Sequence, residues 1–292
     1  MATIYRRALN RTIRKTFSLW QALGFHITPN HFYQPIPDTR TLGNELWDKP
    51  SSLPGIDLPN KEQQADTLKS LSAFRSEYEA FPVSQNGEQF YLDNGQFGSV
   101  DAEIYYSMIR SKVPKTIIEI GAGFSTHVAT KAVTKNGRGK LIAIDPCPRT
   151  ELKQLPITWI EKRLQDVPLE TFDCLEAGDI LFIDSSHVVT VGSDVNYEIL
   201  ELLPALKPGV TIHIHDIFWP SANYPKYRVI DQKEFWTEQY LVQAFLAFNS
   251  AFKVRLCASY LHRTAPEVLE QNFRSYKRQS NWPGSLWIER VS

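Results

Sequence analysis

The sequence has too few cysteines to staple a fold, no net charge to attract a polyanion, and no apolar run long enough to cross a membrane. Its three cysteines, Cys147, Cys174 and Cys257, are scattered and odd in number. That excludes a disulfide framework and a cysteine metal cage, and it points to a reducing, cytoplasmic setting. Lys plus Arg and Asp plus Glu both number 32 in 292 residues, a net charge of +0, so nucleic acid is not an expected partner. No stretch reaches the roughly 20 apolar residues of a transmembrane helix, and repeats and low-complexity tracts are absent as well.

Acid is also missing locally. No Asp or Glu precedes Asp38, while Arg6, Arg7, Arg11, Arg14 and Lys15 alternate with Leu9, Ile13, Phe17 and Trp20 at helical spacing. Such an amphipathic helix has three readings: docking on the catalytic domain or on a second subunit of a homo-oligomer, lying on a membrane surface, or serving as an organellar transit peptide. Docking is the expectation, because a single apolar stripe is the ordinary signature of packing. Proline-rich stretches around residues 35–37 and 51–59 divide this part of the chain. Residues 1–100 are therefore expected to form an N-terminal helical extension or cap, with a helix over residues 61–81, outside the strand–helix alternation of residues 101–292.

That alternation begins with a helix over residues 101–112 and the run Thr116-Ile117-Ile118-Glu119-Ile120-Gly121-Ala122-Gly123-Phe124-Ser125-Thr126. It reads as a buried parallel strand, a glycine turn that lets a ligand approach the backbone, and a helix start capped by Ser125 or Thr126. In dinucleotide enzymes a third glycine permits close helix packing beneath a pyrophosphate, but here Thr126 stands in its place. Glu119 at the strand end suits an ammonium or hydroxyl group rather than a phosphate. A second strand, residues 140–144, ends in Asp145, an acceptor suited to a ribose diol. NAD enzymes share that acid, so an NAD-dependent oxidoreductase stays as an alternative disfavoured by Thr126 and Glu119.

A third strand is expected at residues 157–161, followed by Asp166, which reads equally well as a turn cap before Pro168. Two further strands, residues 179–183 and 210–214, run into Asp184-Ser185-Ser186-His187 and His215-Asp216-Ile217-Phe218-Trp219-Pro220. In an open α/β sheet ligands bind outside the carboxyl ends of the strands, so these ends converge with Glu119 and Asp145. His213 and His127 are expected only to pack. Residues 234–248 read as a long helix with Phe235, Trp236 and Tyr240 in the core, residues 253–262 and 285–290 as strands, and residues 266–279 as helical. Trp219, Tyr224 and Tyr227 are candidates for an apolar wall around a substrate.

The acid-x-Gly-x-Gly turn, Asp145 and the two acid–imidazole strand ends resemble the class I S-adenosylmethionine-dependent methyltransferases over about residues 90–292. Within them the chain is similar to metal-assisted O-methyltransferases of the catechol and macrolide-sugar types. The resemblance implies an α/β, Rossmann-like, doubly wound sheet of seven strands with the last pair antiparallel. It implies S-adenosyl-L-methionine as cofactor, bound by Glu119, Gly121, Gly123, Ser125, Asp145, Asp166 (near the adenine amino group) and Asp184. It also implies a metal-ligand role for Asp184 and Asp216, with His215 standing where relatives place an acid, and His187 of Asp-x-x-His as general base with His215 as competitor. A divalent ion, Mg²⁺ or Mn²⁺, is the metal expected, imidazole favouring the softer choice. The activity expected is methyl transfer to an oxygen of a small-molecule acceptor, and the remaining alternative is a protein that binds S-adenosylmethionine without methylating.

Overall fold

The computed structural model describes residues 2–47, 49–87 and 89–292, with the backbone alone for residues 2–4. Seven strands form one sheet: β1 (Thr116–Ile120), β2 (Lys140–Ile144), β3 (Thr158–Ile160), β4 (Ile180–Ile183), β5 (Thr211–Ile214), β6 (Phe252–Cys257) and β7 (Leu286–Arg290). Their order is β3-β2-β1-β4-β5-β7-β6. The first five strands are parallel and β7 runs antiparallel to both β5 and β6. This is the doubly wound sheet expected from the sequence, with strand direction of travel reversing between β1 and β4, where such sheets hold ligands.

Period two along the strands divides the core into two layers. Ile117, Phe182 and Trp287 pack with Tyr105 and Ile109 of the helix Asp101–Lys112, while Ile118, Leu181, Ile183 and Ile212 pack with Ile199, Trp219 and Val242 on the other face. The helix Asp101–Lys112 carries Asp101 and Glu103 in its first turn and Arg110 and Lys112 in its last, charges that complement the peptide dipoles. The helix Phe124–Asn136 stops at Gly137, whose φ of 68° is a left-handed conformation that glycine adopts without a Cβ penalty.

Several boundaries differ from the sequence expectation. The strand expected over residues 253–262 ends at Cys257, and residues 258–264 are helical, because Ala258, Leu261, Ala265 and Leu269 enter the core at helical rather than alternate spacing. The helix expected over residues 234–248 is confined to Glu238–Leu246. Lys61–Leu71 is α-helical and gives way to a 3₁₀ turn at Ser72–Phe74, yet Leu68, Leu71, Tyr78, Phe81, Phe90 and Phe97 belong to the same core layer as Tyr105. Only the first part of the extension stands apart. Helices Ala2–Lys15 and Phe17–Ala22 leave Tyr5 72%, Leu9 59% and Leu19 57% exposed, so these described apolar side chains are not covered by the rest of the chain.

Asp179 anchors the amino ends of β1 and β4. One carboxylate oxygen accepts from the backbone N–H groups of Lys115 and Thr116 at 2.8 and 2.9 Å, and the other accepts from Glu176 N–H at 2.9 Å. Asp179→Ala is expected to cost about 1 kcal/mol by removing three partly buried hydrogen bonds, read as a lower urea midpoint at constant slope. A midpoint unchanged from the parent would show that the clamp contributes nothing.

Candidate functional site

The parallel ladder continues one residue past each strand, which brings the functional residues to one edge. Gly121 N–H donates to Ile144 O, Asp184 N–H to Ile120 O and His215 N–H to Ile183 O, each at 2.9 Å, and Asp145 N–H donates to Ile160 O at 3.2 Å. Period two also puts Glu119 on the Ile117 face, where Tyr105 Oη donates to its Oε1 at 2.9 Å. Glu119 is 0% exposed and its Oε2 has no hydrogen-bond partner. Burial, with the nearby Asp184 charge adding, pushes its carboxyl up to about 7.

The two glycines have different reasons. At Gly121, φ is +81° and a Cβ would stand 1.9 Å from the Asp184 carbonyl oxygen, so the close approach is of β4's end to β1's end and not of a ligand. At Gly123 the backbone is extended and nothing lies within 4 Å of where a Cβ would be, which leaves open space over the turn. Asp145 closes the far side: its Oδ2 accepts from Ala122 N–H at 3.0 Å and its Oδ1 from Cys147 N–H at 2.7 Å. Ser125 is buried in the first helical turn and caps nothing; Thr126 Oγ1 accepts from Gly123 N–H at 3.1 Å. Asp166 is exposed, its carboxylate held by Arg163 at 2.8 and 3.1 Å. An orphaned buried acceptor, an open glycine and a strand-end acid fit a cofactor that carries an ammonium group and a ribose.

The ends of β4 and β5 form a second cluster. His187 is 5% exposed; its Nδ1 lies 2.7 Å from Glu238 Oε2, and its Nε2 lies 3.3 Å from Asp184 Oδ1 and 3.8 Å from Asp216 Oδ2. Burial opposes its protonation, but the hydrogen bonds to Asp184 and Glu238 and the surrounding carboxylate charge raise its pKa well above the ordinary value. Burial likewise works to raise Asp184, yet the His215 charge and the His187 hydrogen bond hold it down at about 2. His215, 3% exposed, is opposed by burial and raised by Asp184, Asp216 and Asp101, and its Nδ1 has no partner. His213 lies in the core as expected, its ring stacked 4.3 Å from Phe182 and its pKa lowered well below 6.5 by burial.

His187 and Asp216 both have left-handed backbones, with φ of 60° and 55°. Such non-glycine residues cost about 1–3 kcal/mol each and persist where the surroundings over-determine them. The His187 carbonyl accepts from Thr237 and Glu238 N–H, and Gly284 packs so closely on Asp216 that a Cβ would stand 2.9 Å from its Cα.

The metal reading fails on its donors. Arg228 Nη2 lies 3.3 and 3.2 Å from the two Asp216 carboxylate oxygens, and Asp184 faces the His187 ring. The Arg228 guanidinium holds one of the two carboxylates expected to ligate an ion and the His187 ring approaches the other, and a dication beside a guanidinium is repelled. Among the described residues no group of three or more His, Cys, Asp or Glu side chains is arranged to hold a metal.

The expected substrate wall is also revised. Trp219 is 0% exposed in the core, and Tyr224 is 1% exposed with its Oη accepting from Gln239 N–H, so neither faces a ligand. Tyr227 is half-buried, and with Asp101, His215, Asp216, Arg228 and Trp282 it lines a cavity of about 390 Å³. Trp236, expected in the core, instead places its ring 4.2 Å from the Arg228 guanidinium and 4.4 Å from the His187 ring. Glu238 and Arg228 went unrecognised, since neither stands at a strand end and no spacing links them to His187 or Asp216. Tyr105 was likewise missed.

Residues 118–217 match the family described as a methyltransferase domain. An uncharacterised protein of Archaeoglobus fulgidus is 31% identical over 176 residues, covering 54% of this chain and 78% of that one. Among solved structures, the chain is similar to the O-methyltransferase of Bacillus cereus in complex with SAH, at 12% identity, TM-score 0.39, and 81% and 94% coverage of the two chains. It is also similar to a putative O-methyltransferase of Klebsiella pneumoniae, at 14% identity, TM-score 0.40, and 81% and 93% coverage. With the family match spanning β1 to the end of β5, where the converging strand ends lie, the chain belongs to the class I methyltransferase family.

Proposed function

We propose that the chain transfers a methyl group from S-adenosyl-L-methionine to a hydroxyl oxygen of a small metabolite, without a resident metal ion. The observation that carries this reading is the unpartnered Glu119 Oε2 beside the open Gly123 turn, two strands along the sheet from the cavity that His215 and Asp216 line. Glu119 binds the ammonium group of the cofactor, Gly123 admits it to the backbone, and Asp145 accepts from its ribose hydroxyls. When bound, the cofactor supplies a methyl group on a sulfonium leaving group. Transfer forms an O–C bond as the S–C bond breaks, so the hydroxyl proton needs an acceptor.

His187 was the first candidate for that role. Its contacts with Asp184 and Glu238 raise its pKa well above the ordinary value, which favours the protonated ring over a free base, and in this reading it orients Asp184 and Asp216. His215 lines the cavity, and we assign it the proton, with Arg228 on Asp216 orienting the acceptor. The cavity wall is polar on the Asp101, Asp216 and Arg228 side and aromatic at Tyr227 and Trp282, which suits a hydroxylated acceptor of modest size.

Calorimetry should show binding of S-adenosylhomocysteine and none of NAD, and Asp145→Ala should weaken it by about 1–3 kcal/mol. Affinity should also fall as pH drops below 7. The Glu119 carboxyl, raised to about 7, must be ionised to pair with an ammonium, so the loss approaches about tenfold per pH unit. Glu119→Gln should bind weakly with no such slope; a wild-type profile that is flat from pH 5 to about 8 would sink the assignment.

His215→Ala should lower kcat by about 10²–10⁴ fold with cofactor affinity nearly unchanged. The proton acceptor works when neutral and its pKa is raised, so the parent rate should climb with pH through a value above 6.5. That limb should vanish in His215→Ala and survive in His187→Gln. The reverse pattern returns the proton to His187.

Exhaustive chelation should leave turnover unchanged, whereas Arg228→Ala should raise the acceptor KM and lower kcat together by about 10–100 fold. Activity abolished by chelation and restored by Mg²⁺ or Mn²⁺ would refute the metal-free reading.

A further inference from the structure

The N-terminal arm has the composition and exposure of an interfacial helix. On Ala2–Lys15, Tyr5, Leu9 and Ile13 follow one another at i, i+4 and i+8, and Trp20 continues the line into Phe17–Ala22. Arg7, Arg11, Arg14 and Lys15 stand on the opposite side, with Arg6 at the apolar margin. All five cations are exposed, as are Tyr5, Leu9 and Leu19. The segment that follows adds Leu23, Phe25, Phe32 and Tyr33, which are 58%, 61%, 82% and 81% exposed.

We propose that this arm binds reversibly to an anionic lipid surface, its apolar line entering the acyl boundary while the arginines engage headgroup phosphates. Charge selects this occupant. The arm has no acid before Asp38, and Asp38 is itself held by Arg40 at 2.8 and 2.7 Å. Pairing the apolar line with that of a second copy would leave the cations of each arm mostly turned outward, with no carboxylate of either arm beside them. An anionic bilayer supplies the missing charge, and its interface favours Trp, Tyr and Phe at the depth where these residues lie. The helix is too short and too charged to span, and no helix among the described residues is long and apolar enough to do so. The attachment is therefore peripheral and salt-sensitive.

The full chain should float with vesicles of phosphatidylglycerol and phosphatidylcholine in equal parts and stay behind with phosphatidylcholine alone, and high salt should release it. The double variant Leu9→Glu/Ile13→Glu and the triple variant Arg7→Glu/Arg11→Glu/Arg14→Glu should each weaken partitioning at least about tenfold. Neither change touches the site, so melting temperature and S-adenosylhomocysteine binding should hold; this separates failure of the arm from failure of the catalytic reading. No flotation with the mixed vesicles, or partitioning indifferent to both variants, overturns the proposal. A dimer in light scattering that Leu9→Glu/Ile13→Glu dissociates, without flotation of the parent, gives the apolar line to a second copy and overturns it as well.

Discussion

A carboxylate taken out of water must be matched by a cation, matched by hydrogen bonds, or keep its proton, and that constraint organises the whole carboxyl edge of the sheet. Asp184, Asp216 and Glu238 all approach one imidazole, and Asp216 also takes a guanidinium that Glu234 shares. The charges hold one another in place, so a divalent ion would have to displace two organic cations before it reached two oxygens. Glu119 has no cation of its own, and its carboxyl is raised to about 7 in consequence. One edge thus holds two solutions to the same problem: a cluster of carboxylates that share an imidazole and a guanidinium, and a single acid that a bound ammonium would neutralise.

The cluster is assembled from segments that the chain brings back from different places. His187 comes from the end of β4, Glu238 from a helix start, Arg228 and Trp236 from the connection between β5 and that helix, and Gly284 from the approach to β7. His187 and Asp216 accept left-handed backbones because those neighbours leave no alternative. The Trp236 ring packs 4.4 Å from the His187 ring and 4.2 Å from the Arg228 guanidinium, and Asp216 approaches both groups. Substitutions in the 228–238 segment should therefore alter the strand-end residues without touching them in sequence.

Much of the fold was legible because it rests on local periodicity. β1 and β2 have the bounds expected from their apolar runs, as does the helix Asp101–Lys112, and their acid-terminated ends line up through the ordinary parallel register. Errors fell where the pattern changed within a run. Residues 258–264 continue the apolar character of β6, but their partners lie on a helical layer, and that is a property of the neighbours. The placement of Glu119, Asp145, Asp184, His187, His215 and Asp216 at the carboxyl ends of the strands was legible. Asp166 was not separable from a surface pair with Arg163, and Trp219 and Tyr224 were not separable from substrate-facing aromatics, since a buried ring and a pocket ring have the same composition.

By itself the sequence determined which residues end the strands and hence which side chains share the edge, because a parallel ladder with period-two side chains leaves little freedom in register. It also determined the arm's separation of charge from apolar surface, since helical spacing is set by the backbone alone. Tertiary structure decided which charges meet. Whether His187 is a base or a fixed cation, and whether Asp216 faces a metal or an arginine, depends on Glu238 and Arg228 arriving from 51 and 12 residues further along the chain. Electrostatic partnership depends on distance in space, and no local pattern encodes that distance.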